Sequence, residues 1–198
     1  VLMASTDDGE QVVVGPSPGF DGTISVVAFG AKGDGVTDDT AAVQSAVNAA
    51  VGGALVFPSG TYNITDSIDV PAESRLVGEP GSQIVQQTAG TAGLRIVGSG
   101  VTIENLTLTG RHESSTYVDG EDAIQTDTTV ASPLQRLLVS GCTITGWGKY
   151  GIWMEHVNGL RIVDCTLDEI GYAGACLCSC TQGQVTGNLV TNITAGTS

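Results

Sequence analysis

Positive charge is what this chain has least of. Two lysines (Lys32 and Lys149) and five arginines stand against 21 acidic residues, a net charge of −14. A surface of that sign repels the phosphates of nucleic acids and of anionic lipids, so neither is expected as a partner. It repels acidic glycans as well, except where basic residues gather. Aromatic residues make up 5% and charged residues 14% of the chain, beside 28 glycines, which suits a turn-dense all-β protein rather than a helical one. No apolar run reaches the roughly 18–20 residues of a membrane span, so no membrane insertion is expected. Val1–Leu2–Met3 opens the chain with neither a basic stretch nor a long apolar one, and no secretory signal is visible. Cysteine is limited to an odd five, all between Cys142 and Cys180, which is not the framework of a disulfide-stapled domain. The 198 residues suffice for one domain with a substantial core.

What the chain does have is a repeat. Leu137–Leu138–Val139–Ser140–Gly141–Cys142–Thr143–Ile144 is answered by Leu160–Arg161–Ile162–Val163–Asp164–Cys165–Thr166–Leu167, an offset of 23 residues (160 − 137). The same offset carries Gly151 to Gly174, Cys165 to Asn188, Leu167 to Val190 and Ile170 to Ile193. A fixed period of this size, with β-branched residues and glycines between, marks stacked supersecondary coils. The leucine-rich pattern L-x-x-L-x-L does not recur and no helix falls within a repeat. The period therefore predicts a parallel β-helix.

Taken in order, residues 1–24 read as an arm or linker with one short strand, and 25–198 as the β-helix domain. Ser25–Phe29 reads as a strand. A single amphipathic helix is expected over about 37–51, with Thr37 as N-cap and Asp38 and Asp39 in its first turn. Val43, Ala46, Val47 and Ala50 form its apolar stripe, and Gly52 and Gly53 stop it. Its job is to cover the open end of the first coil. Short strands follow at Leu55–Phe57, Tyr62–Ile64, Ser67–Val70, Arg75–Val77, Gln83–Val85, Leu94–Val97 and Val101–Leu108. Between Leu106 and Cys142 the spacing widens to 36, so about 13 residues (36 − 23) are inserted, mostly in the polar run Gly110–Gly120. Such insertions project as loops and commonly carry function. After the last strand, Leu189–Ile193, no capping element follows, so a longer parent chain or a packing partner is expected.

Val27-Ala28-Phe29-Gly30-Ala31-Lys32-Gly33-Asp34-Gly35-Val36-Thr37-Asp38-Asp39-Thr40, then the helix, then Gly53-Ala54-Leu55-Val56-Phe57-Pro58-Ser59-Gly60-Thr61-Tyr62, resembles the N-terminal signature of the pectate-lyase-like β-helix superfamily. That superfamily includes phage tail spikes, polysaccharide lyases and hydrolases, and mannuronan C5-epimerases. The resemblance implies an all-β, right-handed parallel β-helix with an N-terminal capping α-helix, and a polysaccharide or glycan as partner. The Gly-Asp-Gly-x-x-Asp-Asp string could be a metal or catalytic cluster, but turn and helix-start chemistry already accounts for it. Tyr150–His156 resembles the place where the epimerases carry Tyr-Gly-Phe-Asp-Pro-His. Tyr150 and Gly151 match, while Trp153 stands where the Asp is expected and Glu155 where the His is expected.

Stacking the coils aligns Gly93–Val97, Ala123–Asp127, Gly151–Glu155 and Gly174–Cys178. Alternation then puts one outward row through Arg95, Gln125, Trp153 and Cys176, and another through Val97, Asp127, Glu155 and Cys178. Adjacent carboxylates split their pKa values, so Asp127 and Glu155 are the candidate acid–base pair. Arg95, Gln125, Tyr150, Trp153, His156 and Arg111 are candidate glycan contacts; the bland reading is a solvated polar face. Cys176, Cys178 and Cys180 share a face if the strand persists, yet they lack the spacing of structural zinc sites. Neither a metal nor a cofactor is called for. Cys142 and Cys165 are expected inside as small hydrophobes.

Three functions stay open. One is a phage-type tail-spike or tail-fibre module that recognises host surface polysaccharide, with or without cleaving it, as a homotrimer or part of a larger assembly. The second is a secreted polysaccharide lyase, hydrolase or epimerase. The third is a purely structural virion or surface coil. All three place the protein outside the cell or on a virion.

Overall fold

The computed structural model describes residues 3–5, 11–13, 23–111, 119–127, 129 and 133–194. Most of the expected N-terminal arm and the middle of the 110–120 loop lie outside the described residues; Met3–Ser5 and Gln11–Val13 form an antiparallel pair. From Thr23 onward the chain winds as a right-handed parallel β-helix. Three parallel sheets form its walls, with seven, seven and five strands. The five-stranded wall is built from Ile68–Val70, Leu94–Ile96, Ile124–Thr126, Tyr150–Glu155 and Ala173–Cys178.

The register confirms the period read from the sequence. Leu137 pairs with Leu160, Thr143 with Thr166 and Thr166 with Leu189, each 23 apart, and Thr107 pairs with Thr143 across the widened 36-residue coil. The coil has this length because it turns corners at fixed places. Arg136, Gly159 and Gln182 have φ of 57°, 77° and 52°; Gly141, Asp164 and Gly187 have 61°, 53° and 70°; Gly146, Glu169 and Asn192 have 70°, 52° and 48°. His156 and Ser179 continue the pattern at 53° and 52°. These are left-handed positions, which glycine adopts freely and other L-residues only at a cost of about 1 kcal/mol or more. Neighbouring corners are tied by backbone bonds, with Gly141 N donating to Val163 O at 3.0 Å and Asp164 N to Thr186 O at 3.1 Å.

Inside, the alternation expected of the strands holds. Leu94, Ile96, Ile124, Thr126, Ile152 and Met154 are all buried, and so are Cys142 and Cys165. In the last coil the inward residues Leu177, Val185 and Val190 are exposed, because no coil lies below them among the described residues. In the column of Leu106, Cys142 and Cys165, Asn188 accepts the Cys165 N–H at 2.8 Å and donates to Ile162 O at 2.9 Å, satisfying backbone groups that a hydrophobe would leave to water.

Three local expectations need correcting. Ser25–Phe29 is not one strand: Thr23–Ser25 is, and Val26–Phe29 is a 3-10 turn capped by Ser25 and closed by Gly30 at φ 97°. Helix α1 spans Thr40–Ala49, three residues later than expected, because Asp34–Asp38 is taken as a strand against Gly60–Ile64. The cap is Asp39 rather than Thr37. Val101–Leu108 is two strands, Thr102–Glu104 and Thr107–Thr109, broken where Asn105 turns left-handed at φ 56°. Helix α1 does cover the first coil, with Val43, Ala46 and Val47 fully buried. It also completes an edge. The Gln44 carboxamide donates to Asp69 O (2.9 Å) and accepts from Asp69 N (2.8 Å), standing in for a strand neighbour of the Ile68–Val70 edge.

Candidate functional site

The five-stranded wall displays one continuous outward row. Parallel pairing sets Asp69 beside Arg95, Arg95 beside Gln125, Gln125 beside Trp153, and Trp153 beside Cys176. At ~4.8 Å per strand the row runs ~19 Å along the helix axis. Two features close its ends.

At the N-terminal end is a cleft of about 680 Å3 between α1 and the first coil, lined by Asp38, Thr40, Gln44, Asp66, Asp69 and Arg95. Arg95 grips Asp69 with two bonds, Nε at 2.6 Å and Nη2 at 2.9 Å. Its cation is thereby matched before any ligand arrives. At the other end is an aromatic cluster. Tyr150 stacks edge-on to Tyr172 with centroids 5.6 Å apart and lies 6.3 Å from Trp153. Lys149 Nζ sits 5.2 Å from the Tyr150 ring centre and 5.1 Å from that of Trp153, and it pairs with Asp119 at 2.7 Å. Burial, reinforced by the Cys176 thiol, pushes the Tyr150 hydroxyl up to about 12, so it stays a neutral donor at every physiological pH.

Beneath this cluster lies a group the sequence reading passed over. Asp122 is fully buried. One carboxyl oxygen accepts the Tyr150 N–H at 3.1 Å, and the other, Oδ2, has no partner. Burial pushes this carboxyl up to about 6, against the pull of the Tyr150 N–H and the Lys149 cation. The folded protein therefore prefers it neutral. Its contribution to stability is fully present below an ordinary carboxyl pKa, about 4, and is lost as pH rises through about 6, a change on the order of 2–3 kcal/mol. Asp122→Asn keeps the acceptor for Tyr150 and removes the charge. Denaturant titrations at pH 4.5 and pH 8 are expected to show the variant gaining about 1–2 kcal/mol on wild type at pH 8 and nothing at pH 4.5. Parallel curves at both values would rule out the buried charge.

The second row is less regular. Pairing of Ile124 with Ile152 and Gln125 with Trp153 sets an offset of 28, which carries Asp127 to the level of Glu155, but the backbone ladder stops at Gln125. Beyond it the Thr126 hydroxyl takes over, accepting the Glu155 N–H at 2.8 Å. The Asp127 carboxylate accepts the Thr129 N–H (2.9 Å) and hydroxyl (2.8 Å), closing its own turn. Those bonds, helped by the Arg95 cation, hold Asp127 below the usual carboxylate range, the opposite of what a repelling carboxylate neighbour would do. Glu155 has His156 Nδ1 at 3.7 Å.

Of the candidate residues, then, Arg95, Gln125, Trp153 and Tyr150 come together on the five-stranded wall. Glu155 and His156 lie at its margin, with His156 occupying a left-handed corner. Arg111 stands apart, its Nη1 donating to Gln87 O at 2.8 Å where the 110–120 loop begins. Asp69, Asp122 and Tyr172 were missed. The row beginning at Asp69 needed the coil length on the N-terminal side, which the sequence does not repeat. Tyr172 lies 22 residues after Tyr150, one short of the period, so the repeat does not bring the two into one column. The Cys176–Cys178–Cys180 face also fails to form. The strand ends at Cys178, Ser179 turns left-handed, and the Cys180 thiol swings inward to Met154 O at 3.5 Å.

Over 181 residues the chain is 33% identical to the non-secreted LysM effector LysM19 of Penicillium expansum, a match covering 81% of this chain and 13% of that protein. It is 33% identical over 153 residues to the capsule K30/K69-specific depolymerase 1 of Klebsiella phage K5-2, covering 69% of this chain and 18% of the relative. The chain thus spans less than a fifth of either relative. Among solved structures, the A-module of the Azotobacter vinelandii mannuronan C-5 epimerase AlgE4 superposes with a TM-score of 0.62 at 20% identity, over 85% of this chain and 53% of that module. Residues 23–197 match the family described as rhamnogalacturonase A/epimerase, pectate lyase-like, which is more than half of the chain, and the protein belongs to that family.

Proposed function

We propose that the chain is a glycan-recognising β-helix segment of a larger extracellular or virion-associated protein of the tail-spike type. The observation that carries this reading is the outward row from Asp69 to Trp153, ending on the Lys149–Tyr150–Tyr172 cluster. Aromatic faces stack on the apolar faces of sugar rings, and a row of alternating donors and acceptors suits hydroxyls. The phage depolymerase, whose name states a capsule target, supports a capsule-like polysaccharide as the partner. Both cations of the row are matched, Arg95 by Asp69 and Lys149 by Asp119, so the ligand is neutral rather than acidic. Successive sugars of ~5 Å would occupy successive coils, placing three or four residues between the cleft and the cluster.

The test is direct binding of neutral capsular oligosaccharides to the whole protein by calorimetry. Trp153→Ala is expected to weaken binding about tenfold, roughly 1–2 kcal/mol. A tight acidic glycan left unaffected by this change would overturn the reading. If the protein also cleaves its ligand, Asp127, held as a carboxylate, is the charged partner and Glu155 the proton donor. Glu155→Gln then lowers the cleavage rate by a factor of about 10²–10⁴, whereas undiminished cleavage removes the pair from catalysis. The tail-spike reading further makes the whole protein a homotrimer, which a monomeric mass in solution would refute.

A further inference from the structure

Of the three cysteines at the lower end of the five-stranded wall, two face each other on its outer side. Cys176 Sγ and Cys178 Sγ are 3.7 Å apart, Cys178 is exposed, and Cys176 is partly so. The third is turned away, since the Cys180 thiol points to Met154 O and to the Cys178 carbonyl. All five cysteines are free thiols. Neither thiol of the facing pair fills the core, unlike buried Cys142 and Cys165.

We propose that Cys176 and Cys178 are a modification site, a surface dithiol that closes to an intrastrand disulfide when it meets a low-molecular-weight disulfide. This goes beyond glycan recognition and does not rest on it. Geometry permits the closure. Residues i and i+2 on a strand have Cα atoms ~6.4–6.8 Å apart, at the upper edge of the disulfide range. The sulfurs at 3.7 Å need to approach by about 1.7 Å to reach bonding distance. The strand is able to pucker there, because it ends at Cys178 and Ser179 turns left-handed at φ 52°. Being stretched and exposed, such a bridge is readily reduced again, the behaviour of a labile rather than a structural disulfide.

The order of events follows from access. Burial raises the Cys176 thiol, so the exposed Cys178 is the first to react. Its thiolate attacks one sulfur of the external disulfide, forming a mixed disulfide and expelling one thiolate. The Cys176 thiolate then attacks the Cys178 sulfur and expels the second. Two protein thiols are oxidised by two electrons, the external disulfide is reduced to two thiols, and the two protons pass to them. Cys176 lies beside the Tyr150 hydroxyl and in register with Trp153, so the bridge forms against the aromatic cluster.

The experiment incubates the whole protein with oxidised glutathione at pH 8, quenches it in denaturant with iodoacetamide, and maps each cysteine by fragment-ion mass spectrometry. The expected product has lost two hydrogens between Cys176 and Cys178, with Cys142, Cys165 and Cys180 alkylated. Cys180→Ser gives the same bridge. Cys176→Ser stops at a glutathione adduct on Cys178, and dithiothreitol restores all five thiols in wild type. A stable glutathione adduct on wild-type Cys178, a bridge to Cys180, or no oxidation at all would each overturn the proposal.

Discussion

Replacing Trp147 with alanine is expected to cost about 3–5 kcal/mol of folding stability. Trp147 is 2% exposed and is the largest fully buried side chain. Its indole spans coils rather than filling one: Nε1 donates to Leu108 O at 3.2 Å in the coil above, while its backbone pairs with Ile170 in the coil below. The ring lies over two glycines, and a Cβ on Gly93 or Gly110 would come within 2.8 Å of it. Those glycines leave the space that the indole occupies. Removing the ring opens a cavity that the stacked backbones have little freedom to close, and it also takes the N–H from the Leu108 carbonyl. Trp147→Phe keeps most of the volume and is expected to cost about 1–2 kcal/mol, mainly the lost hydrogen bond and the unfilled edge. Equilibrium denaturation reads both, and a loss under 1 kcal/mol for the alanine variant would show that this part of the core collapses freely.

The repeat was legible because the inward positions are chemically alike: Leu137 and Leu160, Ile144 and Leu167, and Cys142 and Cys165 need the same size and polarity at each level. The corners that set the period were not. Gly141, Asp164 and Gly187 share a left-handed conformation but not a side chain, and the same holds for Gly146, Glu169 and Asn192. Backbone geometry there is imposed by the neighbouring coil, so residue type records it only weakly. Val26–Phe29 misled for a related reason. Four apolar residues look like a strand, yet Val26 is buried and Val27 is 52% exposed, because the chain has already begun its turn toward α1.

The outward row was likewise readable from Arg95 to Cys176, because each coil sets a small residue (Gly93, Ala123, Gly151 or Gly174) before that strand's apolar positions. Its chemistry was not, because the partners of Arg95 and Lys149 come from other coils and from the inserted loop: Asp69 lies 26 residues before Arg95 and Asp119 lies 30 before Lys149. A charge that looks available in sequence is matched in space, so neither cation stands as the local basic site that the sequence left open for an acidic glycan. Asp122 was invisible for the opposite reason. An aspartate in a polar stretch reads as solvated, and only the coil above and below it reveals that one of its oxygens is sealed off without a donor.

The acidic string near the N-terminus shows how far local chemistry carries. Asp34 accepts from Val36 N, Thr37 N and the Thr37 hydroxyl, and Asp38 from Thr40 N and the hydroxyls of Thr40 and Thr65. Both are exposed. Asp39 differs, being 1% exposed, with Lys32 N at 2.7 Å on one carboxyl oxygen and Gly33 N at 3.0 Å on the other. Its own N–H reaches Asn63 O, and its carbonyl accepts the Val43 N–H that opens α1. One residue thus fixes the turn, the helix start and the Gly60–Ile64 strand together. Gly33 is held at φ +60° against the Tyr62 ring, where a Cβ would come within 2.9 Å, so the turn has no room to shift and find other acceptors. Asp39→Ala leaves two inward-facing N–H groups bonded to nothing, each worth about 1.5–3 kcal/mol when the acceptor is charged, for an expected loss of about 3–5 kcal/mol. Asp34→Ala, on an exposed turn that water can satisfy, is expected to cost under about 1 kcal/mol. Denaturant titration of both variants, with and without a chelator, separates this account from a metal-holding one. A structural carboxylate gives the same two losses in either buffer, whereas a loss for wild type on adding the chelator would mean that the string holds a cation.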